Sequence, residues 1–232
     1  MTTDVELFFD PVCPFCWVTS RWLRQVERLA DVRVAWRFIS LARLNDRPGA
    51  YEDKPDVYPA LHGQGHELLR VAAAAREQHG PEVVGPLYRA MGEQLWETPA
   101  DGIDDVDDLL EVQARGLDLE AALRAAELST DLAEARNDAR WDDVIAAETD
   151  EAIARVGDDV GTPILSFDPP DGPAFFGPVI SDNPSDEEAL RYWEALTTLA
   201  EMPGFAEVKR TLRSFPATVR TAALAGMETT AG

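Results

Sequence analysis

The hydrophobic positions of this chain begin as a strand-like run, pass into a helical period, and return to alternation by Ile39. Val5-Glu6-Leu7-Phe8-Phe9 is short and apolar enough for a buried strand. Asp10-Pro11-Val12 supplies a turn. From Pro14 to about Leu29, the residues Trp17, Val18, Trp22, Leu23, Val26 and Leu29 recur at helical spacing. Cys13 then falls near the N-cap. Pro14 falls near the first helical position, where a missing N–H costs nothing. Val32 to Ile39 alternates and predicts a second strand, so the three segments together predict a βαβ unit.

From about 41 to 137 the chain changes character and shows no strand pattern. Pro48-Gly49 and Lys54-Pro55-Asp56 mark a loop, and helices are expected at about 64–79, 81–96, 105–115, 118–126 and 129–137. A further helix over about 139–156 carries Trp141, Val144, Ile145, Ala152 and Val156 on one face. Strands then return. Ile164 to Phe167 and Ala174 to Phe176 flank the turn Asp168-Pro169-Pro170-Asp171-Gly172 and predict a hairpin. Ser185 and Glu188 form a capping-box signature for a helix to about 200. A last helix is expected over about 204–213, with a weakly ordered tail from Thr218.

The formal charge of −22 over 232 residues makes nucleic acid and anionic membranes poor partners. Met1-Thr2-Thr3-Asp4 has no basic n-region or apolar stretch of a signal peptide, and no window approaches the roughly 18 apolar residues of a membrane span. The expectation is a cytoplasmic protein. In that compartment a dithiol is more often catalytic, redox-sensing or metal-binding than structural.

Cys13 and Cys16 are the only two cysteines, and they stand as Cys13-Pro14-Phe15-Cys16 between a strand and a helix. A helix N-terminus offers free N–H groups and the positive end of the dipole, and both favour a thiolate at Cys13. Cys16 lies one turn on, placed to resolve a mixed disulfide. Phe15 adds no charge, so tuning must come from the helix and nearby backbone. Pro163, between Gly161-Thr162 and a strand, is a candidate for a cis bond that leaves the Thr162 backbone free to pair with a thiol substrate. His62 and His66 stand four apart. Metal binding with the cysteines is one reading of them, and a cleft-lining or surface position is the other. The acidic run Asp104-Asp105 and Asp107-Asp108 reads as a solvated helix start. Trp96 and Tyr58 are candidates to line an apolar pocket.

Phe9-Asp10-Pro11-Val12-Cys13-Pro14-Phe15-Cys16-Trp17, Gly161-Thr162-Pro163 and Phe175-Phe176-Gly177-Pro178 together resemble the DsbA-like thioredoxin-fold oxidoreductases. Ser40-Leu41-Ala42 with Leu44-Asn45, and Gly85-Pro86-Leu87-Tyr88 with Ala90-Met91-Gly92, resemble an actinobacterial cytoplasmic branch that includes mycothiol-dependent nitroreductases. The resemblance implies an α/β, thioredoxin-like fold with an inserted all-helical domain. The thioredoxin-like part would be residues 1–40 and 138–232, the insertion 41–137, and the active site the cleft between them. It implies Cys13 as nucleophile, Cys16 as resolving thiol and Pro163 as cis proline. Pro14, Phe15, Thr162, Asn45 and Tyr58 would contact substrate. This chain has Phe15 where that branch commonly has Trp, and Trp96 where a histidine is expected.

These readings converge on a thiol–disulfide oxidoreductase with no tightly bound cofactor, recycled by mycothiol or a similar small thiol. Its partner would be a small-molecule thiol or disulfide, or a protein disulfide. Two alternatives stay open. One is a transferase or isomerase of the kappa-class or hydroxychromene carboxylate isomerase type that uses Cys13 only to bind a thiol cofactor. The other is a non-enzymatic redox or metal sensor. An apolar face on the terminal helices would permit a homodimer.

Overall fold

The computed structural model describes residues 4–158, 160–209 and 214–224. In chain order the elements are β1 (Val5–Phe9), α1 (Pro14–Ala30), β2 (Val34–Phe38), α2 (Leu41–Leu44), α3 (Tyr58–His79), α4 (Val84–Trp96), α5 (Val106–Ala114), α6 (Leu119–Ala125), α7 (Asp142–Val156), β3 (Ile164–Phe167), β4 (Ala174–Phe176) and α8 (Asp186–Ala200). The sheet order is β2-β1-β3-β4, with β1 and β2 parallel, β3 antiparallel to β1 and β4 antiparallel to β3. A βαβ unit joined to a ββα unit around one mixed sheet is a thioredoxin-like fold. Here α2 to α6 occupy the stretch between β2 and α7.

β1 is buried at all five positions because helices cover both of its faces. Val5, Leu7 and Phe9 face the cluster that holds α1, α3 and α4, whereas Phe8 faces Ala152 of α7. Tyr88 of α4 stacks on Phe9 at 3.8 Å and meets Trp36 edge-on at 5.8 Å. The inserted helices and the sheet therefore share one apolar core. α8 closes the outer side of α1, where Trp22 stands 6.3 Å from Trp193 and its indole N–H donates to the Ala189 carbonyl at 3.0 Å. Two glycines set how closely the helices approach the site. A Cβ on Gly92 of α4 would collide with the Trp17 ring, and one on Gly65 of α3 would collide with an Asp10 carboxylate oxygen.

Several boundaries differ from the sequence expectation. α3 begins at Tyr58, with Pro59 in its first turn, rather than near 64. Thr130–Asn137 is a 3-10 helix, not α, and Pro81–Val83 and Ala139–Trp141 are 3-10 turns leading into α4 and α7. The helix expected over 204–213 is not formed over 204–209, where Pro203 and Gly204 break the pattern, and 210–213 lie outside the described residues. The tail from Thr218 is also corrected, because it is packed as far as Leu224. Arg220 donates from its backbone to the Trp96 carbonyl at 2.9 Å and from its side chain to Thr98 and Gln94 carbonyls at 2.8 and 3.0 Å. These bonds satisfy carbonyls that the end of α4 leaves free. Leu224 is buried with Ile103, Leu109 and Val112.

Candidate active site

The site is built on the turn between β1 and α1. Cys13 is the N-cap of α1, in extended conformation (φ −85°, ψ 115°), with Pro14 opening the helix. Its sulfur accepts from the Cys16 amide at 3.4 Å, as an N-cap side chain does. Thr162 approaches from the start of β3, and its carbonyl oxygen lies 3.9 Å from the Cys13 sulfur as acceptor of the S–H. The Thr162–Pro163 bond is cis. Four of the residues expected at the site, Cys13, Cys16, Thr162 and Pro163, are thus brought together. Pro14 and Phe15 follow at the partly exposed mouth of α1.

Both cysteines are free thiols, but they are not equivalent. Cys13 keeps 7% of its surface exposed and Cys16 none, so only Cys13 offers an edge to a reactant. A hydrogen bond from the Cys16 thiol pulls the Cys13 thiol below its ordinary range. Burial opposes this, and the Thr162 side chain and the Cys16 amide assist it. Burial pushes Cys16 well above the ordinary range, and giving its proton to Cys13 pushes it further. The sequence assigned the tuning to the helix terminus. The Cys16 amide at that terminus does contribute, and the partner thiol adds to it.

Asp10 holds the turn from beneath. Its carboxylate accepts from the Val12 amide at 3.1 Å and the Leu41 amide at 2.8 Å, and its carbonyl accepts from the Cys13 amide at 3.1 Å. It is fully buried, and desolvation raises its pKa to about 7 against the two amide bonds. Two groups at the end of α4 complete the frame. The Trp96 indole N–H donates to the Pro11 carbonyl at 3.2 Å, and Glu97 accepts from the Trp17 indole at 2.7 Å and from Arg21 at 2.6 Å. The sequence reading missed Asp10 and Glu97. An acidic residue directly after the apolar run Leu7-Phe8-Phe9 and ahead of the cysteines was the available signal for Asp10. Nothing local marks Glu97.

A family model described as mycothiol-dependent nitroreductase Rv2466c matches residues 12–210. The chain belongs to this family. Among curated proteins it is 30% identical over 208 residues to the Mycobacterium tuberculosis protein Rv2286c, described as uncharacterised, covering 90% of this chain and 82% of that one. Two solved structures are also similar. A candidate protein-disulfide isomerase from Pseudomonas syringae matches at 16% identity and TM-score 0.45, over 82% of this chain and 90% of its own. A 2-hydroxychromene-2-carboxylate isomerase matches at 13% identity and TM-score 0.43, over 84% and 95%.

The remaining expected residues of this family member fall on two sides of the cysteines. Asn45 ends α2, where its side-chain amide donates to the Leu41 carbonyl at 2.8 Å, and it lines a surface cavity. Tyr58 opens α3 and packs against the small cluster of Val12, Leu61 and Leu110, next to the Cys13 turn. It lies edge-on to His62 at 5.5 Å. Trp96 is buried and supports the Pro11 carbonyl, which gives it a framing position rather than a pocket-lining one. The histidines do not turn to the cysteines. His62 pairs with the Tyr51 hydroxyl at 3.0 Å, and His66 pairs with Ser40 and Asp142 at 2.9 Å each. Among the described residues, no group of three or more His, Cys, Asp or Glu side chains is arranged to hold a metal ion. Among the same residues no helix is long and apolar enough to cross a membrane.

Proposed function

We propose that this protein is a cytoplasmic thiol–disulfide oxidoreductase that works through the Cys13-Pro14-Phe15-Cys16 dithiol and is recycled by a small thiol of the mycothiol class. The observation that carries this reading is the inequality of the two sulfurs: Cys13 edge-exposed and biased toward thiolate, Cys16 enclosed and biased toward thiol. In the forward half-reaction the Cys13 thiolate attacks one sulfur of a substrate disulfide. A Cys13–substrate disulfide forms and the other substrate sulfur leaves as thiolate. Cys16 then loses its proton and attacks the Cys13 sulfur, which releases the second substrate thiolate and leaves a Cys13–Cys16 disulfide. Two small thiols reduce that disulfide in turn, giving back the dithiol and one small-molecule disulfide.

In this reading the Thr162 backbone beside Pro163 aligns the incoming sulfur, and Pro14 and Phe15 form the floor under it. Asn45 and Tyr58 contact the rest of the substrate from the two sides. The thioredoxin-like part, 1–40 and 138–232, supplies the dithiol, and the helical stretch 41–137 supplies the facing wall. Family membership supports the choice of mycothiol over other thiols.

The test is the intact mass of the Cys16→Ser protein after incubation with mycothiol disulfide. One mycothiol per chain, located on Cys13 by peptide mapping, is expected. No adduct, or an equal adduct formed on Cys16 in the Cys13→Ser protein, would overturn the mechanism. Full turnover in Cys16→Ser would instead favour a thiol-cofactor transferase or isomerase.

A further inference from the structure

The carboxyl ends of the parallel strands β1 and β2 and the start of β3 lie at one edge of the sheet, with Phe8 opposite Ile164 and Phe9 opposite Phe38. Cys13 stands at that edge. So does a cavity of about 470 Å³ formed by α2, α7 and the segment before β3. Gly161 is part of its wall, and the next residue, Thr162, presents its carbonyl 3.9 Å from the Cys13 sulfur. The carboxyl edge of an α/β sheet is where such folds take ligands, and the volume lies within the range of small-molecule sites.

The lining has a definite chemistry. Leu44, Ile153 and Val160 make a half-buried apolar floor, packed on the cluster of Phe8, Ile39 and Ile164. Over it stand two guanidiniums and three carboxylates among the described lining residues. Arg43 and Asp150 form a fork, Nε to Oδ1 at 2.9 Å and a terminal nitrogen to Oδ2 at 2.7 Å. The Arg47 guanidinium has no hydrogen-bond or ion-pair partner among the described residues, and only its backbone is bonded, to Asn45 and Ala50. Asp46 and Asp158 complete the rim.

A rim with more carboxylates than cations repels a ligand that carries carboxylates, as glutathione does at both ends. It suits a neutral polyol. Each hydroxyl of a polyol both donates and accepts, so one group can bridge a carboxylate and a guanidinium. The C–H face of its ring meanwhile covers the apolar floor. We infer that this cavity is the subsite for the glucosaminyl-inositol head of a mycothiol-type thiol, whose cysteinyl sulfur reaches Cys13 past Thr162. The assignment rests on the dithiol reading above and adds to it the place and the chemistry of recognition.

The test compares two disulfides in the Cys16→Ser background: mycothiol disulfide, and the disulfide of N-acetylcysteine, which keeps the same acyl-cysteine but lacks the polyol. Ile153→Trp fills the cavity from its floor. Arg47→Ala removes an exposed, unpartnered cation and leaves the fold's own contacts intact. The rate of Cys13 adduct formation with mycothiol disulfide is expected to fall about tenfold or more in Ile153→Trp and about fivefold in Arg47→Ala, the loss of one hydrogen bond. The rate with the N-acetylcysteine disulfide should stay unchanged in both. Equal slowing of both disulfides, or slowing of neither, overturns the subsite. If Cys13 forms no adduct with either disulfide, the reaction reading fails on its own. Calorimetry with sulfur-free N-acetylglucosaminyl-inositol, whose amide keeps it neutral, then decides the subsite: binding that is lost in Ile153→Trp supports it, and no binding to the parent protein overturns it.

Discussion

Two polar clusters are buried against the sheet, and they solve the problem of burial in opposite ways. On the α7 side, Arg37 pairs with Glu6 and Glu151 at 2.6 Å each and with Glu148 at 3.3 Å. Arg76 reaches Glu148 at 2.7 Å, and Arg155 reaches Glu6 at 3.3 Å. Glu148 also accepts from the Phe38 amide at 2.7 Å. Burial works against the Arg37 charge, but Glu148 and Glu6 outweigh it, and its pKa moves upward. Every charge there has an opposite, which is how a buried charge becomes tolerable. At the cysteine turn the compensation is missing. Among the described residues the Asp10 carboxylate has only the amides of Val12 and Leu41 as hydrogen-bond donors, and Cys13 and Cys16 share one proton bias between them. Asp10, left uncompensated, titrates near neutral pH, while the two thiols are pushed apart, Cys13 down and Cys16 up. On the function proposed above, the difference separates a cluster that holds the fold from one that does chemistry.

The largest way to break this comparison is Cys13→Ser. Turnover in any disulfide-reduction assay should fall on the order of a thousandfold or more, with little change in the urea midpoint. A large loss of stability with retained turnover would mean that the turn is structural after all. Next in size is Glu148→Ala, which leaves Arg37 and Arg76 facing a smaller negative field and orphans the Phe38 amide. A loss of about 3–5 kcal/mol in urea unfolding is expected, with the Cys13 adduct rate unchanged for the folded protein.

Asp10→Asn sharpens the contrast through pH. The folded carboxyl titrates near 7, above its ordinary value of 3.8, so between these limits the folded state keeps a proton that the unfolded chain has lost. Stability should therefore decline as pH rises from about 4 to about 7, by on the order of 3 kcal/mol from this group, and level off above. In Asp10→Asn that part of the decline should vanish from urea midpoints measured across the window. An unchanged slope would show that Asp10 is not the group responsible. The smallest effect is expected at an exposed pair, Arg28 with Asp186 at 2.6 Å, where both side chains are more than half exposed. Arg28→Ala should cost no more than about 0.5 kcal/mol.

The cysteine pair, the strand and helix that flank it, the hairpin and the capping box of α8 were legible because each rests on short-range rules: apolar period, cap chemistry and turn residues. The all-helical character of the stretch after β2 was legible for the same reason. Errors came where distant contacts override local preference. The segment from Thr218 looks weakly ordered in sequence, yet Arg220 finds three carbonyls at and just past the end of α4. The segment after Pro203 looks helical and is not.

By itself, then, the sequence determined the dithiol, its place at a helix N-terminus and the thioredoxin-like order of elements. Periodicity and capping act within a few residues and can be read from them. Only the tertiary structure decided that Asp10 would be buried without a cation, that Glu97 would hold Trp17 from the far end of α4, and that Arg37 would gather carboxylates from β1 and α7. Those outcomes depend on which side chains meet across a closed core, and solvation and charge compensation are properties of that meeting rather than of any one segment.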